Sequence, residues 1–561
     1  MDNLPILSMT AYAPLVGAIV IFAFRGIQRE QARLIALIAM AASFIFSLSM
    51  LLDFDKNDQF QFTEHVKWLP DLGVSYSMGI DGISLVLIVL TTFIGLLATI
   101  WSWDAITYRG REYYITLLLL QTGMLGVFMA LDLFVFYIFW ELMLIPMALL
   151  IGIWGSENRV YAAIKFFIYT LVGSLLMLIG IVATYQAYYE QTGVRTLNIL
   201  QLQTGWDKGA YSDVFQGAVF AAFLISFAIK IPMWPFHTWL PDAHVQAPTA
   251  ASVVLAAIML KMGGYGILRF NLPLFPEASE DWAPIIIALS LIGILYGALV
   301  ALVQPDFKKL IAYSSVSHMG FVTLGIFTNI FLTSRADLNG LNGSMMVMVA
   351  HGLNTGGLFF LVGMLYERAH TRLLASFGGI AGRLPFYAFF LGLFTFASVG
   401  LPGMSGFVGE FLAVLGAWQY HKWIGFTAFV VVILAGWYML WMYQQVIQGR
   451  AHGEMPDPRD GELTDDEKAM LAGSDSAHDA YGHAPAFAPV SGGSQDHGHD
   501  DDHDPLDSSR WPDLNRRELI TLVPLAVLTI VFGIYPNPIF DIVGPSFERI
   551  MDPFMRGPLG G

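Results

Sequence analysis

The sequence contains no cysteine and few charged residues for its length. Of its 561 residues, 56% are hydrophobic and 13% are charged, whereas soluble domains average about 45–50% and about 25%. Without cysteine, the chain can hold no disulfide bond, no thiolate-ligated iron–sulfur cluster and no cysteine-ligated zinc. So few charges could not cover the surface of a soluble domain of this size. The composition predicts an integral membrane protein that leaves any thiolate-held redox centre to partner chains.

Motifs of nucleotide and metal chemistry are missing as well. The sequence has no GxxxxGK[ST] loop, no HExxH and no Rossmann fingerprint at a strand–helix turn. It also has no arginine-rich voltage-sensor helix. We therefore expect no cofactor bound by this chain, no nucleic-acid partner, and lipid as its immediate surroundings.

The sequence does contain fourteen apolar segments, each near the roughly 20 residues that a spanning helix needs. None shows the alternation of a membrane barrel, which predicts an all-α polytopic membrane protein. The first segment is expected to be a retained helix rather than a cleaved signal. Two segments are interrupted, the seventh and the twelfth. The predicted spans run roughly over 4–24, 33–52, 82–103, 112–130, 133–154, 162–186, 213–245, 248–270, 283–303, 309–331, 343–366, 386–420, 424–447 and 517–536.

Lysine and arginine in the short loops predict the orientation, because cytoplasmic loops carry an excess of both. The loops after the first, third, fifth, ninth and eleventh spans are rich in them, and all these loops fall on one face. Arg25, Arg109, Arg159, Lys308 and Arg368 are examples. Both termini are therefore predicted outside, and the expected location is a bacterial inner membrane.

Residues 449–516 form the only long polar stretch of the sequence. Between 453 and 513 there are 16 acidic and 3 basic residues, while the rest of the chain carries 28 and 26. Such a composition cannot bury enough apolar surface to fold alone, which predicts a disordered cytoplasmic loop. His497, His499 and His503 lie beside aspartates there. They are weak candidates for metal ligands, because histidine-rich tracts are only compositional hints.

Four ionisable residues lie deep inside apolar segments, where a charge costs roughly 2.5–3.5 kcal/mol or more. They are Glu141, Lys230, Lys261 and Glu410. Each is too deep to extend to water, so it must face protein, an opposite charge or a wet cavity. In one interpretation they are structural ion pairs that fix helix register. The presence of two carboxylates and two lysines among these four sites favours proton transfer. A carboxylate that approaches or withdraws changes the proton affinity of a buried lysine.

Histidines inside the same apolar segments are candidates for a proton relay. His318 and His351 lie in the tenth and eleventh spans, and a neutral imidazole can pass a proton between its two nitrogens. The alternative is a pair of hydrogen-bonded core histidines. His237 and His244 follow the interruption after Lys230, where water access is easier, and they rank lower.

Both interrupted segments carry helix-breaking residues next to an ionisable side chain. The breaks follow Lys230 in the seventh span and precede Glu410 in the twelfth. Backbone groups freed by a break are tolerated at membrane depth only where they are buried in protein or wetted. Matching breaks in two halves are typical of ion sites in transporters built from inverted repeats, and the alternative is a pair of kinks that only shape packing. The breaking residues are Pro232, Pro235, Pro402 and Gly403.

The stretches around these residues resemble a known family. FWELMLIPMALLIGIWG, KIPMWPFHTWLPDAHVQAPTAASVVLAAIMLKMGGYG, FKKLIAYSSVSHMGF and GLPGMSGFVGEF are similar to the antiporter-like subunits of respiratory complex I and of multisubunit cation/proton antiporters. The resemblance covers roughly 80–448. Glu410 indicates one complex I branch, because the sibling subunits and many antiporters usually have lysine there. The long loop over 449–516 departs from the family pattern.

The resemblance implies a fourteen-helix fold with two inverted five-helix repeats, spans 4–8 and 9–13. Glu141 and Lys230 would form a pair, and Lys261 would be the central relay. Glu410 would be the terminal site, and the histidines of spans ten and eleven would join the two halves through water. The expected partners are two antiporter-like siblings and the lateral helix of the distal one. NADH, FMN, iron–sulfur clusters and quinone would bind to other subunits.

The resulting prediction is a proton-translocating membrane-arm subunit of NADH:quinone oxidoreductase, a non-redox part of a translocase. Three alternatives stay open. A multisubunit Na+/H+ antiporter would use the same charges, although Glu410 argues mildly against it. A non-pumping scaffold would use them as structural pairs, and no residue set demands a quinone-binding role. The predicted division is an N-terminal three-helix segment (1–111), two half-channel repeats (112–270 and 271–448), the loop (449–516) and a C-terminal helix with its tail (517–561).

Overall fold

The computed structural model describes residues 4–205, 208–332, 337–448 and 511–555, which form a bundle of long helices with one β hairpin. Thirteen spans in this part of the chain are long and apolar enough to cross a membrane. The predicted twelfth span is present as two shorter helices, so the all-α polytopic fold is confirmed. The three histidines named as metal candidates, at 497, 499 and 503, lie outside the described residues.

The elements are numbered in chain order. The strands are β1 (Gln61–Leu69) and β2 (Val74–Ile80). The helices are α1 (Ile6–Ala23), α2 (Arg29–Leu52), α3 (Gly82–Ala105), α4 (Gly110–Met129), α5 (Leu133–Leu142), α6 (Leu144–Trp154), α7 (Arg159–Thr192), α8 (Ile199–Gln203), α9 (Asp213–Lys230), α10 (Trp239–Gln246), α11 (Thr249–Leu274), α12 (Pro276–Leu302), α13 (Phe307–Asn329), α14 (Asn339–Ala369), α15 (Pro385–Val399), α16 (Ser405–Tyr420), α17 (Lys422–Ile447), α18 (Arg516–Ile534) and α19 (Asn537–Met555).

Three helices, α11, α13 and α14, occupy the centre of the bundle. Over their most apolar stretches they are buried almost completely, whereas α1, α2, α17 and α18 leave most of theirs exposed. A helix that is apolar all round belongs inside a large protein or in lipid. The polar side chains within these apolar stretches are therefore shielded from the membrane by protein.

Helix breaks occur beside three of the four deep ionisable residues. α9 ends at Lys230, and the indole of Trp239 donates to the carbonyl of Ile229 at 2.9 Å, which satisfies one freed group. Between α15 and α16, Gly400 and Gly403 have φ of 86° and 91°, a conformation that glycine adopts without strain. Both of these interruptions were predicted from the sequence.

The third break, at Met143, directly follows Glu141 and was not predicted. Its cause is visible in the sequence, because Pro146 has no N–H to bond to the carbonyl of Leu142. α11 is also irregular, with π-helical turns at Leu255–Met259 and Ile267–Asn271 on either side of Lys261. Such turns are rare and frequent at functional sites, and no proline announces them.

The hairpin and α19 lie together at one face of the bundle, and the sequence reasoning predicted neither of them. Their anchor is the Asp81 cluster, formed by Asp81, Arg269, Arg549 and Phe60. The buried Asp81 carboxylate accepts from Arg269 at 2.6 Å and from Arg549 of α19, and the Phe60 ring lies 4.9 Å and 4.2 Å from the two guanidinium groups. Burial alone would raise the pKa of Asp81, but the two arginines outweigh it and hold the pKa well below its usual value.

On the opposite face, Gln448 and Asp513 both bond to the region where α15 begins. The carbonyl of Gln448 accepts from the N–H of Gly379 at 2.9 Å. Asp513 accepts from the N–H groups of Phe386 and Tyr387 at 2.9 Å and 3.1 Å and so caps α15. Gln448 is thus held by the residues just before α15, and Asp513 by the first turn of that helix.

Close contact between α14 and α16 yields a first prediction. A Cβ at Gly343 would lie 2.3 Å from the backbone nitrogen of Ala413, whereas at Gly436 of α17 it would meet only Val399, at 3.8 Å. Gly343→Ala should therefore separate the two helices and destabilise the protein by about 1–3 kcal/mol, as overpacking does. Thermal unfolding of the purified protein measures this, with Gly436→Ala as the control. Equal melting temperatures for the two variants would contradict the close packing.

Candidate functional site

The centre of the molecule holds a buried contact between lysine and histidine. Nζ of Lys261 on α11 lies 2.7 Å from Nδ1 of His351 on α14 and donates to the carbonyl of Ala256 at 2.6 Å. Lys261 is fully buried and His351 nearly so. The π-helical turn that precedes Lys261 contains Ala256, so the irregular backbone of α11 supplies one of the two hydrogen-bond partners of the ammonium.

A second buried contact joins His318 of α13 to Glu410 of α16. Nδ1 of the imidazole and Oε1 of the carboxylate are 2.6 Å apart, and both side chains are buried. Glu410 lies in the second turn of α16, just after the break that precedes the helix. The break and the deep carboxylate therefore belong to one site, as the sequence pattern predicted.

A single gap separates these two contacts. The rings of His318 and His351 have centroids 5.8 Å apart, and each ring has a buried Nε2 without a hydrogen-bond partner. Both histidines and Glu410 line a small cavity of about 10 Å³. This is about the space that one water needs. We call Lys261, His351, His318 and Glu410 the central line, because one water would make it continuous.

Glu141 and Lys230 are neighbours without a direct ion pair. The Lys230 ammonium, at the end of α9, lies 5.3 Å from the ring of Trp140 and 5.7 Å from that of Phe166. It interacts electrostatically with Glu141, yet Nζ of Lys230 and Oε1 of Glu141 are both buried without a hydrogen-bond partner. The Lys230 ammonium therefore has no hydrogen-bond partner within the described residues, whereas the half-buried Glu141 carboxylate also interacts with the hydroxyl of Tyr137.

The two histidines after the first break differ in their surroundings. His237 packs its ring against Tyr296, with centroids 5.0 Å apart. His244 is fully buried and stacks on Phe359 at 4.7 Å, and neither of its ring nitrogens has a partner. Pro232 and Pro235 lie in the turn between α9 and α10, so they shape this region without entering the central line.

Two buried cations were missed by the sequence reasoning, Arg269 of the Asp81 cluster and Lys308. Lys308, treated above only as a loop charge, is 4% exposed and donates to the carbonyl of Ala247 at 2.6 Å. The sequence offered one signal for its burial, the helical spacing of the residues after it. Positions 308, 311, 312 and 315 share one face of α13, whereas Lys309 points elsewhere. Within the described residues, no group of three or more acidic or histidine side chains could hold a metal ion.

Comparison with known proteins identifies the family of this chain. A family model described as NADH:quinone oxidoreductase/Mrp antiporter, TM matches residues 130–435, the region that contains every residue of the central line. The chain belongs to this family. The match also includes both discontinuous spans, so the family's membrane region and the candidate site coincide.

Individual relatives place the chain more narrowly within the NADH:quinone oxidoreductase/Mrp antiporter family. It is 41% identical to NADH-quinone oxidoreductase subunit M of Rhodobacter capsulatus, over 98% of this chain and 97% of the relative. It is 42% identical to NADH-ubiquinone oxidoreductase chain 4 of Arabidopsis thaliana, over 97% of each chain. The branch that Glu410 indicated, subunit M and its mitochondrial counterpart subunit 4, is thereby confirmed.

Solved structures agree on the fold. A chain of respiratory complex I from Thermus thermophilus with bound NADH superposes with a TM-score of 0.77 at 28% identity, over 99% of this chain and 100% of that one. A chain of the Mrp complex from Dietzia sp. gives the same TM-score at 22% identity, over 99% of each chain. The second likeness concerns the fold alone.

Proposed function

We propose that this chain is a proton-translocating subunit in the membrane arm of a bacterial NADH:quinone oxidoreductase. The observation that carries the proposal is the central line, in which a buried lysine and a buried carboxylate are joined by two histidines across one water-sized gap. NADH oxidation and quinone reduction would occur on partner subunits that hold FMN, iron–sulfur clusters and quinone. This chain would carry protons and no electrons.

The chemistry of the central line suits proton transfer. A protonated Lys261 can give its proton to Nδ1 of His351, and Nε2 of the same ring can release one to a water in the gap. That water can pass a proton to Nε2 of His318, whose Nδ1 faces the Glu410 carboxylate. Each transfer exchanges a proton between groups already in contact or one water apart, so no charged side chain has to leave its site.

Glu141 and Lys230 would control this transfer electrostatically. While Glu141 stays near, it favours the charged form of Lys230, and when it withdraws, that lysine gives up its proton more readily and would pass it to Lys261. A signal from a neighbouring subunit would move the carboxylate. The buried Lys230 ammonium, which has no hydrogen-bond partner, supports this role, because a fixed structural pair would be expected to bond directly.

The proposal extends to organisation and partners. The repeats would be 112–270 and 271–448, each with one broken helix next to an ionisable residue. Both termini would face the outside of the inner membrane, and protons would move outward from the cytoplasm. Two antiporter-like siblings would flank the chain, with the lateral helix of the distal sibling running along it.

Neutralising Glu141 distinguishes a pump from the two rival functions. In membrane vesicles, Glu141→Gln should lower NADH-driven quinone reduction and proton uptake together, by roughly tenfold or more, as loss of a proton-transfer group does. Rates are normalised to the amount of assembled complex. The matched control is Glu157→Gln, which removes an exposed carboxylate from the loop between α6 and α7 and should leave both rates unchanged.

Other outcomes identify the rivals. Lower assembly with normal rates per assembled complex would indicate a scaffold whose charges are structural. Proton movement driven by a sodium gradient without NADH would indicate a sodium/proton antiporter. Wild-type rates at full assembly would remove Glu141 from the mechanism.

A further inference from the structure

A second polar cavity lies on the lysine- and arginine-rich face, away from the central line. It measures about 200 Å³ and lies where the α6–α7 turn, the α10–α11 turn and the end of α14 meet. Its lining includes Lys308, Gln246, Thr249, Tyr366 and Arg372. In the orientation proposed above, this face is cytoplasmic, so the cavity would bring water from the cytoplasm to the buried Lys308.

Lys308 occupies the inner wall of this cavity. Its ammonium donates to the carbonyl of Ala247 at 2.6 Å, at the end of α10. The nearest charges form their own pair, because Nε of Arg372 lies 3.4 Å from a carboxylate oxygen of Asp306. Lys308 is thus a buried cation with one neutral acceptor and no carboxylate of its own in contact among the described residues.

His244 lies near both Lys308 and Lys261, the lysine of the central line. It interacts electrostatically with both Lys308 and Lys261, and its ring is held flat against Phe359. Both ring nitrogens are buried without a partner, which costs about 1–3 kcal/mol for each unsatisfied group. If His244 served only for packing, an apolar ring could replace it and the cost of the unsatisfied nitrogens would disappear. The two nitrogens therefore indicate a site that binds a proton or a water.

We propose that Lys308 and His244 carry protons from this cavity to Lys261, as an uptake route separate from Lys230. This inference rests on the proposed function of the chain. Protonated Lys308 gives its proton to one nitrogen of the neutral His244, directly or through a water, and takes another from water in the cavity. The other nitrogen of His244 releases a proton to the neutral amine of Lys261, so each transfer leaves His244 neutral again.

The competing explanation is structural, because Lys308 also places a cation at the C-terminal end of α10, where one is stabilising. Lys308→Arg separates the two explanations. Arginine keeps the charge and can donate to Ala247, and the adjacent cavity has room for the larger head group, yet a guanidinium does not give up its proton in a protein. Rescue by arginine therefore indicates capping, and loss indicates proton transfer.

The experiment uses the complete complex in proteoliposomes and measures proton uptake per NADH oxidised and per assembled complex. Lys308→Arg and His244→Phe should each reduce uptake by roughly tenfold or more, and phenylalanine preserves the stacking on Phe359. Lys309→Gln is the matched control, since this neighbouring lysine is only half-buried, and it should pump normally. Lys261→Gln serves as the reference for the proposed function.

The results separate this inference from the function on which it rests. Normal pumping by Lys308→Arg and by His244→Phe, together with loss in Lys261→Gln, would overturn the uptake route and leave the proposed function in place. Normal pumping by Lys261→Gln would overturn both. If Lys308→Arg fails to assemble, His244→Phe decides alone, because it removes no hydrogen bond that the structure shows.

Discussion

Replacing Glu410 by glutamine is expected to lower proton translocation at least tenfold while the complex still assembles. The carboxylate is the last group of the central line, and its only contact with a relay residue is the 2.6 Å approach to His318. Glutamine has nearly the same shape and can accept from the imidazole, but it cannot take up a proton. Proton transfer by a positioned group contributes about 10²–10⁴ to a rate, so we expect at least a tenfold loss in proton uptake by proteoliposomes.

Glu410→Asp is the natural control for this substitution. It keeps the ionisable group but shortens the side chain, so it lengthens the approach to His318 and should leave an intermediate rate. The order wild type, aspartate, glutamine is the expected series at equal complex content. Wild-type pumping by the glutamine variant would mean that protons leave the molecule by another group.

Replacing Asp81 by asparagine is expected to destabilise the protein strongly without touching the central line. The buried carboxylate balances two arginines, Arg269 from α11 and Arg549 from α19. Without it, the two neighbouring guanidinium groups lose the buried carboxylate that they share, and breaking a buried pair in this way costs about 3–5 kcal/mol. The amount of chain in membranes and its thermal unfolding measure the effect.

An exposed ion pair on the same face provides the matched control. Lys56 and Asp541 are 3.0 Å apart, and more than half of each side chain is exposed. Asp541→Asn should therefore cost at most about 1 kcal/mol, although it removes another contact of α19. If both variants unfold at the same temperature, the Asp81 cluster contributes no more than a surface bridge.

The pH dependence of the Asp81 contribution follows from the direction of its pKa shift. Because the arginines hold the pKa below its value in the unfolded chain, the folded state favours the ionised carboxylate. The stabilisation is fully present above the unfolded pKa and disappears only as the pH falls through the lower folded value. The cluster therefore stabilises α19 throughout the neutral range.

Much of the fold could be predicted from the sequence because hydrocarbon imposes simple rules. A spanning helix needs an apolar run of fixed length, and a break at membrane depth needs proline or glycine together with buried surroundings. These rules located the spans and the breaks beside Lys230 and Glu410. They could not locate the hairpin, α19 or the π-helical turns, since these depend on contacts between distant elements.

The residues of the candidate site could be predicted from the sequence, but the contacts between them could not. Lys261, His318, His351 and Glu410 stand out because ionisable groups are rare in apolar runs. That His318 contacts Glu410, 92 positions away, depends on how three helices pack, and no local pattern encodes it. Lys308 was missed because a lysine at a helix start is usually an interfacial anchor, and only its burial shows otherwise.

The way the chain leaves α17 and returns to α18 bears on how this protein can diverge. Gln448 is held by Gly379 just before α15, and Asp513 caps the first turn of α15. The end of α17 and the approach to α18 are therefore each fixed to the region of α15 by their own hydrogen bonds, whatever the length of the sequence between them. A lineage that lengthens or shortens that sequence can keep both anchors, and with them the arrangement of the membrane helices.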